Sequence, residues 1–178
     1  FHYRSVNDAL IAFSNAAFYG RLTPMAYPNT GSPIVFNAVN GSYTMQQNPE
    51  EARRVVEWLF SVNENAAGKF PSIGVVTLNL KQRDLIRKIL TEECRKDPAK
   101  HKQLMNLEEA GLFIRNLENV QGDERDIIVI SSTFGRNEAG EFKRNFGILS
   151  TRPGYRLLNV LITRARQQCV VFTSIPTR

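Results

Sequence analysis

The chain has 178 residues, of which 42% are hydrophobic, and a formal net charge of +6 at pH 7. Its length and apolar content suffice for one domain with one substantial core, and the positive excess favours an anionic partner. The composition excludes a disulfide-stapled secreted scaffold, because Cys94 and Cys169 are the only cysteines and lie in different predicted elements. No apolar run reaches membrane-spanning length and no signal-peptide pattern is present. We therefore expect a reduced, cytoplasmic setting without a membrane partner.

In chain order, the first half of the sequence alternates helical and strand patterns. Apolar residues recur at helical spacing over Val6–Tyr19, which predicts a helix. After a loop rich in Pro, Gly and Asn, a strand is predicted over Pro33–Val39. Asn48 is a suitable cap for a second helix, because proline and two acidic residues follow it, and that helix is expected to run to about Asn63. The nearly continuous apolar run Ser72–Leu78 is typical of a strand covered on both faces.

The middle of the chain contains one more helix, a charged connection and two strand-like runs. Asn79 can cap a helix that continues toward Cys94. A proline interrupts the charged stretch Arg95–Glu109, where we expect a break and a short, mobile surface helix. Two β-rich runs follow, Leu112–Asn116 and Asp126–Thr133, and the polar turn between them could belong to an ordinary hairpin.

Two arginines stand at the end of the segment Arg156–Arg166. Its apolar residues predict a helix packed against a sheet, with the last strand following at Cys169–Ile175. We expect this helix to hold Arg164 and Arg166 on a rigid element. A guanidinium is a planar fork of donors that stays charged at any working pH, so it suits a polyphosphate or a transferring phosphoryl group. Surface pairing or simple solvation is the commoner explanation for such a segment in isolation.

The alternation of strands and helices predicts the fold class. We expect residues 1–178 to form a single α/β domain with three layers, in which a largely parallel sheet carries helices on both faces. In folds of this kind, ligands sit beyond the carboxyl ends of the strands. Polar patches near strand and helix ends are therefore the candidate sites.

Two of these patches lie near Tyr3 and near Thr77. Tyr3 could stack on a nucleobase while Arg4 reaches phosphates, although a tyrosine used for packing is the preferred interpretation without further context. Thr77 and Asn79 stand at a strand-to-helix turn, where a helix N-terminus attracts phosphate. Plain helix capping is at least as good an explanation of the second patch.

A third patch is the polar segment Asn119–Asp126. It sets Gln121 and Gly122 on a tight turn, followed by Glu124, whose carboxylate suits a ribose hydroxyl. None of the patches is specific alone, but their order along the chain is.

In order, HYRS, IGVVTLNLKQRDLI, NLENVQGDERDIIVIS and RLLNVLITRAR followed by a strand resemble the second RecA-like motor domain of superfamily 1 helicases, most closely the Upf-like subgroup. The resemblance covers nearly the whole chain. It implies a RecA-like fold of the P-loop NTPase type that lacks the P-loop itself. It also implies the C-terminal motor half of an ATP-dependent helicase or translocase that grips single-stranded DNA or RNA.

The resemblance also implies roles for individual residues. Tyr3 would stack on the adenine, Arg4 would contact phosphate, and Glu124 would contact the ribose. Arg164 would act as the arginine finger, while Arg166 would only brace or pair nearby. Gln121 and Gly122 would couple the nucleotide to the nucleic acid. The residues that would contact the sugar–phosphate backbone are Thr77, Asn79 and Thr133.

The sequence departs from a complete motor at the phosphate site. It contains no GxxxxGK[ST] motif and no acidic pair after a hydrophobic strand, so ATP with Mg²⁺ would be held mainly by the family's N-terminal RecA-like domain. Residues 1–20 would form the connection from that domain, and the fragment would be monomeric with no metal site of its own. Since an arginine finger acts on a phosphate held elsewhere, we expect the isolated chain to be inactive as an ATPase.

Two other functions fit parts of the pattern. A non-catalytic nucleic-acid-binding or scaffolding module could keep a helicase-like fold, but it would have no need for Arg4, Glu124 and Arg164 together. A small nucleotide-binding α/β enzyme such as a kinase would need the missing phosphate loop. In the favoured function, contacts to the nucleic-acid backbone dominate, so binding should be salt-sensitive and largely sequence-independent.

Overall fold

Parallel strands form the sheet in the part of the chain that the structure describes. The computed structural model describes residues 34–120, 122–143, 145–146 and 150–176, apart from the side chains at 152, 153, 155, 156 and 159. Within these ranges every strand pairing is parallel, and the sheet order is β1-β5-β4-β2-β3. The strands are β1 (Ile34–Ala38), β2 (Ile73–Thr77), β3 (Phe113–Asn116), β4 (Arg125–Gly135) and β5 (Ala165–Ser174). The helices are α1 (Pro49–Ser61), α2 (Leu80–Lys96), α3 (Pro98–Glu109) and α4 (Arg152–Ile162).

The sheet separates two apolar cores. On one face, α1, α2 and α3 pack over Val75, Val129 and Val170, which lie side by side on three neighbouring strands. On the other face, α4 packs over Ile128 and Cys169, which are partners in the β4–β5 register. The predicted three-layer α/β architecture is therefore confirmed. The helix predicted over residues 6–19 lies outside the described residues.

β2 is buried on both faces, as its apolar run predicts. All of its residues are buried, because it lies between β3 and β4 and under helices on each side. A side chain at Gly74 would place its Cβ 2.5 Å from Cζ of Phe113. Glycine at this position allows the Phe113 ring to pack directly on the strand backbone.

The connection between β3 and β4 is not a hairpin. The two strands are parallel and β2 lies between them, so the chain must cross over from one to the other. A short 3₁₀ helix, Leu117–Asn119, and the buried Val120 lie in this crossover and pack on the α4 face. The hairpin interpretation is therefore wrong, and the polar segment before β4 belongs to a longer connection between parallel strands.

The charged stretch after α2 forms a longer helix than expected. α3 has 12 residues, and Asp97 caps it by accepting a hydrogen bond from the Ala99 N–H at 2.8 Å. Leu107 is buried, and Gln103 Nε2 donates to the Val62 carbonyl at 2.6 Å, so α3 is anchored against the rest of the domain. Within the described ranges, no helix combines the length and the apolarity that crossing a membrane requires.

Ile128 tests the packing of the sheet. Its side chain is fully buried in the α4-side core, so Ile128→Ala should lower the free energy of unfolding by about 2–5 kcal/mol. Met105→Ala on α3 is the control, because Met105 is 57% exposed and its truncation should change the free energy by no more than about 0.5 kcal/mol. Urea unfolding followed by circular dichroism measures both. Equal effects of the two substitutions would contradict the packing described.

Candidate nucleotide and nucleic-acid site

Glu124 and Arg164 lie beside each other at the amino-terminal ends of neighbouring strands. Glu124 directly precedes β4, and Arg164 directly precedes β5. The Arg125 N–H donates to the Arg164 carbonyl at 3.1 Å, which ties the two strand starts together. Ligands were expected beyond the carboxyl ends of the strands, whereas these two candidate residues lie at the amino-terminal ends.

Arg164 occupies a turn rather than a helix. α4 ends at Ile162, and the Arg164 N–H donates to the Leu161 carbonyl at 3.1 Å. The expectation that the helix itself holds Arg164 and Arg166 is therefore wrong, since Arg166 is already on β5. Nε of Arg164 is buried and has no hydrogen-bond partner among the described residues. Because buried donors are almost always satisfied, this nitrogen is a donor whose acceptor is not among the described residues.

Arg166 braces Glu124. Its Nε lies 3.6 Å from Oε2 of Glu124, with the two side chains 51% and 30% exposed. A partly exposed pair of this kind adds little to stability. Its effect is to orient the Glu124 carboxylate at the strand start. The prediction that Arg166 pairs nearby agrees with this ion pair, and its difference in role from Arg164 stays a prediction.

The segment around Glu124 is held by several elements. Asp123 forms an ion pair with Arg115 of β3. Arg125 donates from Nε to the Gly111 carbonyl at 2.7 Å, and its guanidinium lies over the Phe113 ring, 4.8 Å from the centroid. Residues on both sides of Glu124 are thus fixed, which presents its carboxylate from a rigid backbone.

Asp126 and Gly122 complete this segment. Oδ2 of Asp126 accepts from the Ser72 N–H at 2.9 Å and from the Ser72 hydroxyl at 2.7 Å, which joins the starts of β2 and β4. Gly122 has a φ of +80°, a conformation that L side chains rarely adopt, and open space lies around it. The backbone conformation therefore favours glycine here. Gln121, Tyr3 and Arg4 lie outside the described residues.

The residues predicted to meet the nucleic acid lie at the opposite edge of the sheet. Thr77 and Thr133 are both 0% exposed, and the Thr77 hydroxyl donates to the Asn79 carbonyl at 2.7 Å. Asn79 Oδ1 accepts from the Gln82 N–H at 2.8 Å, so it caps α2, the alternative that its local sequence already offered. Direct contact of either threonine with a nucleic-acid backbone would require this edge to open.

The residues predicted to contact the nucleotide lie far from those predicted to contact the nucleic acid. Glu124 precedes β4 and Thr133 stands near its carboxyl end, so they are separated by roughly 30 Å at about 3.3 Å per residue. The structure thus brings Glu124 and Arg164 together and places Thr77, Asn79 and Thr133 at the other edge.

A buried acid, which the sequence pattern did not single out, lies under the carboxyl edge. Oε1 of Glu51 accepts from the Ser131 hydroxyl at 2.7 Å and from the Thr133 N–H at 2.6 Å. Oε2 accepts from the hydroxyls of Ser132 at 3.3 Å and Ser174 at 3.4 Å. Burial raises the pKa of Glu51 to about 7, although these hydrogen bonds oppose the shift. We call these five residues the Glu51 cluster.

Gln82 takes the place of Glu51 in capping α1, so the Glu51 side chain is free to point away from the helix end. Glu51 is the third residue of α1, where a glutamate ordinarily reaches back to the N–H of the capping residue. Here Gln82 Oε1 accepts the Asn48 N–H at 2.8 Å instead, and Gln82 Nε2 donates to the Asn48 carbonyl at 3.1 Å. Glu51 therefore turns toward the strands. The signal in the sequence was the polar triplet SST at the end of an otherwise apolar strand.

Neither cysteine is among the candidate site residues at the two ends of the strands. Cys169 is buried, which raises the pKa of its thiol to about 12, and both cysteines are free. No group of histidine, cysteine and acidic side chains suited to a metal ion occurs in the described part of the chain.

Comparison with known proteins identifies the family. A family model described as an AAA domain matches residues 2–175. The chain belongs to this family. It corresponds to the C-terminal region of superfamily 1 helicases, which confirms the resemblance that the ordered motifs carry. The match includes the HYRS segment at its start.

Two curated relatives are named as helicases. The chain is 36% identical over 177 residues to the uncharacterized ATP-dependent helicase MG140 of Mycoplasma genitalium, and 34% identical over 177 residues to its homolog in Mycoplasma pneumoniae. Each match covers 97% of this chain but only 15% of the relative. The chain therefore spans only a small part of the length of these relatives.

Titration of Glu51 should make stability depend on pH. Its folded pKa of about 7 lies above the ordinary glutamate pKa of 4.5, so the unfolded chain ionises first as pH rises. The free energy of unfolding should therefore fall between about pH 4.5 and 7, by on the order of 3 kcal/mol. Glu51→Gln cannot titrate and should lack this component. Urea unfolding across this pH range measures both proteins, and parallel profiles would contradict the shift.

Proposed function

We propose that this domain is the C-terminal motor half of an ATP-dependent DNA or RNA helicase or translocase, and that Arg164 is its arginine finger. The observation that carries the proposal is the position of Arg164 beside Glu124, with a buried Nε that has no partner among the described residues. A guanidinium held in this way can complete its hydrogen bonds on a phosphate that another domain supplies. The family membership supports ATP as the nucleotide.

The chemistry asked of Arg164 is electrostatic. During phosphoryl transfer, negative charge is spread over the transferring group, and an arginine finger stabilises that charge without reorganising at the moment of reaction. Two backbone hydrogen bonds fix the Arg164 turn, one from its N–H to Leu161 and one from the Arg125 N–H to its carbonyl. The turn is therefore preorganised before ATP arrives.

We assign the nucleotide's other contacts to further residues of the ordered motifs. Glu124 accepts a ribose hydroxyl, while Tyr3 and Arg4 hold the adenine and a phosphate. ATP with Mg²⁺ is bound mainly by the N-terminal RecA-like domain, which supplies the phosphate loop. When bound, Mg²⁺ neutralises charge on the phosphate oxygens. Gln121 and Gly122 couple this site to the nucleic acid.

The opposite edge supplies part of the grip on a single strand. Thr77 and Thr133 are buried, so we assign the direct contacts to exposed groups and backbone of the loops around them. Arg136, three residues beyond Thr133, is exposed and can meet a phosphate. Binding through phosphates is independent of sequence and weakens as salt rises.

Replacing Arg164 in the full-length parent tests the finger. Arg164→Ala should lower kcat for ATP by about a thousandfold or more, because charge on the transferring phosphoryl loses its partner. Steady-state ATPase assays with saturating single-stranded DNA and, separately, RNA give kcat and KM. Arg95→Ala removes the same guanidinium from the exposed C-terminal turn of α2 and should leave kcat unchanged. Equal activity of the two variants would refute the role of Arg164.

The purified chain by itself should hydrolyse ATP negligibly. It contains no phosphate loop to hold the substrate, so the arginine has nothing on which to act. Release of inorganic phosphate, with and without single-stranded nucleic acid, measures this directly. Appreciable turnover that Arg164→Ala abolishes would overturn the division of labour between two domains.

A further inference from the structure

The Glu51 cluster lies far from the proposed ATP site and has no role in that chemistry. We infer that Glu51 is a positioning residue that holds the carboxyl ends of β4 and β5 in the conformation that grips a single nucleic-acid strand. This inference rests on the proposed function, because it concerns the strand-gripping edge of the same domain. Its support comes from strain, strand register and close packing at that edge.

Thr133 is strained, and Glu51 holds it. Its φ is 68°, in the left-handed region that a β-branched residue rarely adopts. Its Oγ1 is buried and finds no hydrogen-bond partner among the described residues. The Glu51 carboxylate accepts its N–H at 2.6 Å. Strained residues of this kind persist only where their surroundings fix them, and they concentrate at functional sites.

The strain coincides with a bulge in the sheet. Ser131 pairs with Phe172 and Gly135 pairs with Ser174, so three residues of β4 lie opposite the single residue Thr173 of β5. Bulges re-aim backbone and side chains, and they are common beside functional sites. Hydroxyls on both sides of this bulge donate to Glu51. The carboxylate thus joins the two strands where their regular pairing fails.

The bulge positions an exposed surface. The Tyr43 N–H donates to the Arg136 carbonyl at 2.7 Å, which fixes the loop after β1 against the end of β4. A Cβ at Gly41 would lie 2.1 Å from Asn48 Oδ1, and one at Gly135 would lie 3.0 Å from the Gly41 carbonyl oxygen. The packing leaves no room for this loop to shift independently. A change at Thr133 therefore reaches Arg136 and the loop beside it.

Ionisation of Glu51 determines how many hydrogen bonds its carboxyl group accepts from the ends of β4 and β5. Among the described residues, the groups that hydrogen-bond to its carboxylate are uncharged: the hydroxyls of Ser131 and Ser132 and the Thr133 N–H from β4, and the Ser174 hydroxyl from β5. Behind them, Asn48 of the α1 cap donates to Ser174 and Gln82 of α2 donates to Ser131. An ionised carboxylate accepts from all four donors, whereas the protonated acid must itself donate from one oxygen. Burial of the charge makes ionisation costly for folding as a whole, but the four hydrogen bonds lower the pKa of Glu51 relative to an equally buried carboxyl without them. Among folded conformations, ionisation therefore favours the one with all four bonds, and the grip should weaken as pH falls.

Strand binding by the purified chain at two pH values tests this inference. Fluorescence anisotropy of labelled oligothymidine and oligouridine, at constant low salt, is measured at about pH 6 and about pH 8.5, on either side of the Glu51 pKa of about 7. Wild type should bind at least about tenfold more tightly at the higher pH, the size expected for one hydrogen bond to a charged group. Glu51→Gln should bind at the weaker level at both pH values.

Two further variants separate positioning from stability. Glu57→Gln makes the same change on an exposed face of α1 and should keep the wild-type pH dependence. Thr133→Gly makes the left-handed backbone free of strain, so it should reduce the pH dependence and, combined with Glu51→Gln, should restore binding at the higher pH. If Glu51→Gln does not fold, the Thr133→Gly profile decides the question.

The outcomes distinguish the inference from the proposed function. Tight but pH-independent binding by wild type, matched by Glu51→Gln, would overturn the positioning role and leave the strand grip intact. Absence of binding by wild type at either pH would overturn the grip and the positioning role together. A pH dependence that Glu51→Gln removes and Thr133→Gly reduces would support both.

Discussion

The parallel pairing of β4 with β5 is the constraint on which both candidate sites depend. β4 has 11 residues and runs beside β5 along almost its whole length, from Arg125 opposite Ala165 to Gly135 opposite Ser174. This pairing, with register shifts near both ends, places Glu124 beside Arg164 at one edge and gathers hydroxyls around Glu51 at the other. The nucleotide and the nucleic acid would be read by opposite ends of the same pair of strands, which offers a direct mechanical connection between them.

The two edges are built by different physical means. At the amino-terminal edge, main-chain hydrogen bonds and partly exposed ion pairs hold the segment around Glu124, and such pairs contribute little net stability. At the carboxyl edge, a buried carboxylate and a strained threonine lie in the protein interior, where satisfied hydrogen bonds are strong and lost ones are costly. The first arrangement leaves an arginine available for a ligand, whereas the second fixes a conformation. This difference fits a finger at one edge and a grip at the other.

Much of the fold could be predicted from the sequence, because local physical signals dominate it. The apolar run of β2, the Asn48 cap of α1 and the alternation of elements each follow from short-range rules. The predictions that were wrong depend on pairing between strands that are distant in the sequence. The polar segment before β4 looks like a hairpin turn until β2 is known to lie between β3 and β4. The end of α4 before Arg164 likewise depends on pairing between β5 and β4, which no local pattern contains.

The sites were predictable to a different extent. Arg164 and Glu124 could be named from ordered motifs, but their edge of the sheet could not, because the direction of each strand relative to the site is set by topology. Glu51 was missed because a glutamate in a first helical turn ordinarily caps the helix or favours its dipole.

The central claim is that the Arg164 guanidinium binds the phosphate that is transferred. A structure of the full-length parent with ADP, fluoroaluminate and single-stranded nucleic acid tests this claim most directly. The account predicts the Arg164 guanidinium within about 2.7–3.1 Å of a fluoride; the same complex with Arg164 turned away and another cation on the fluoroaluminate would contradict it.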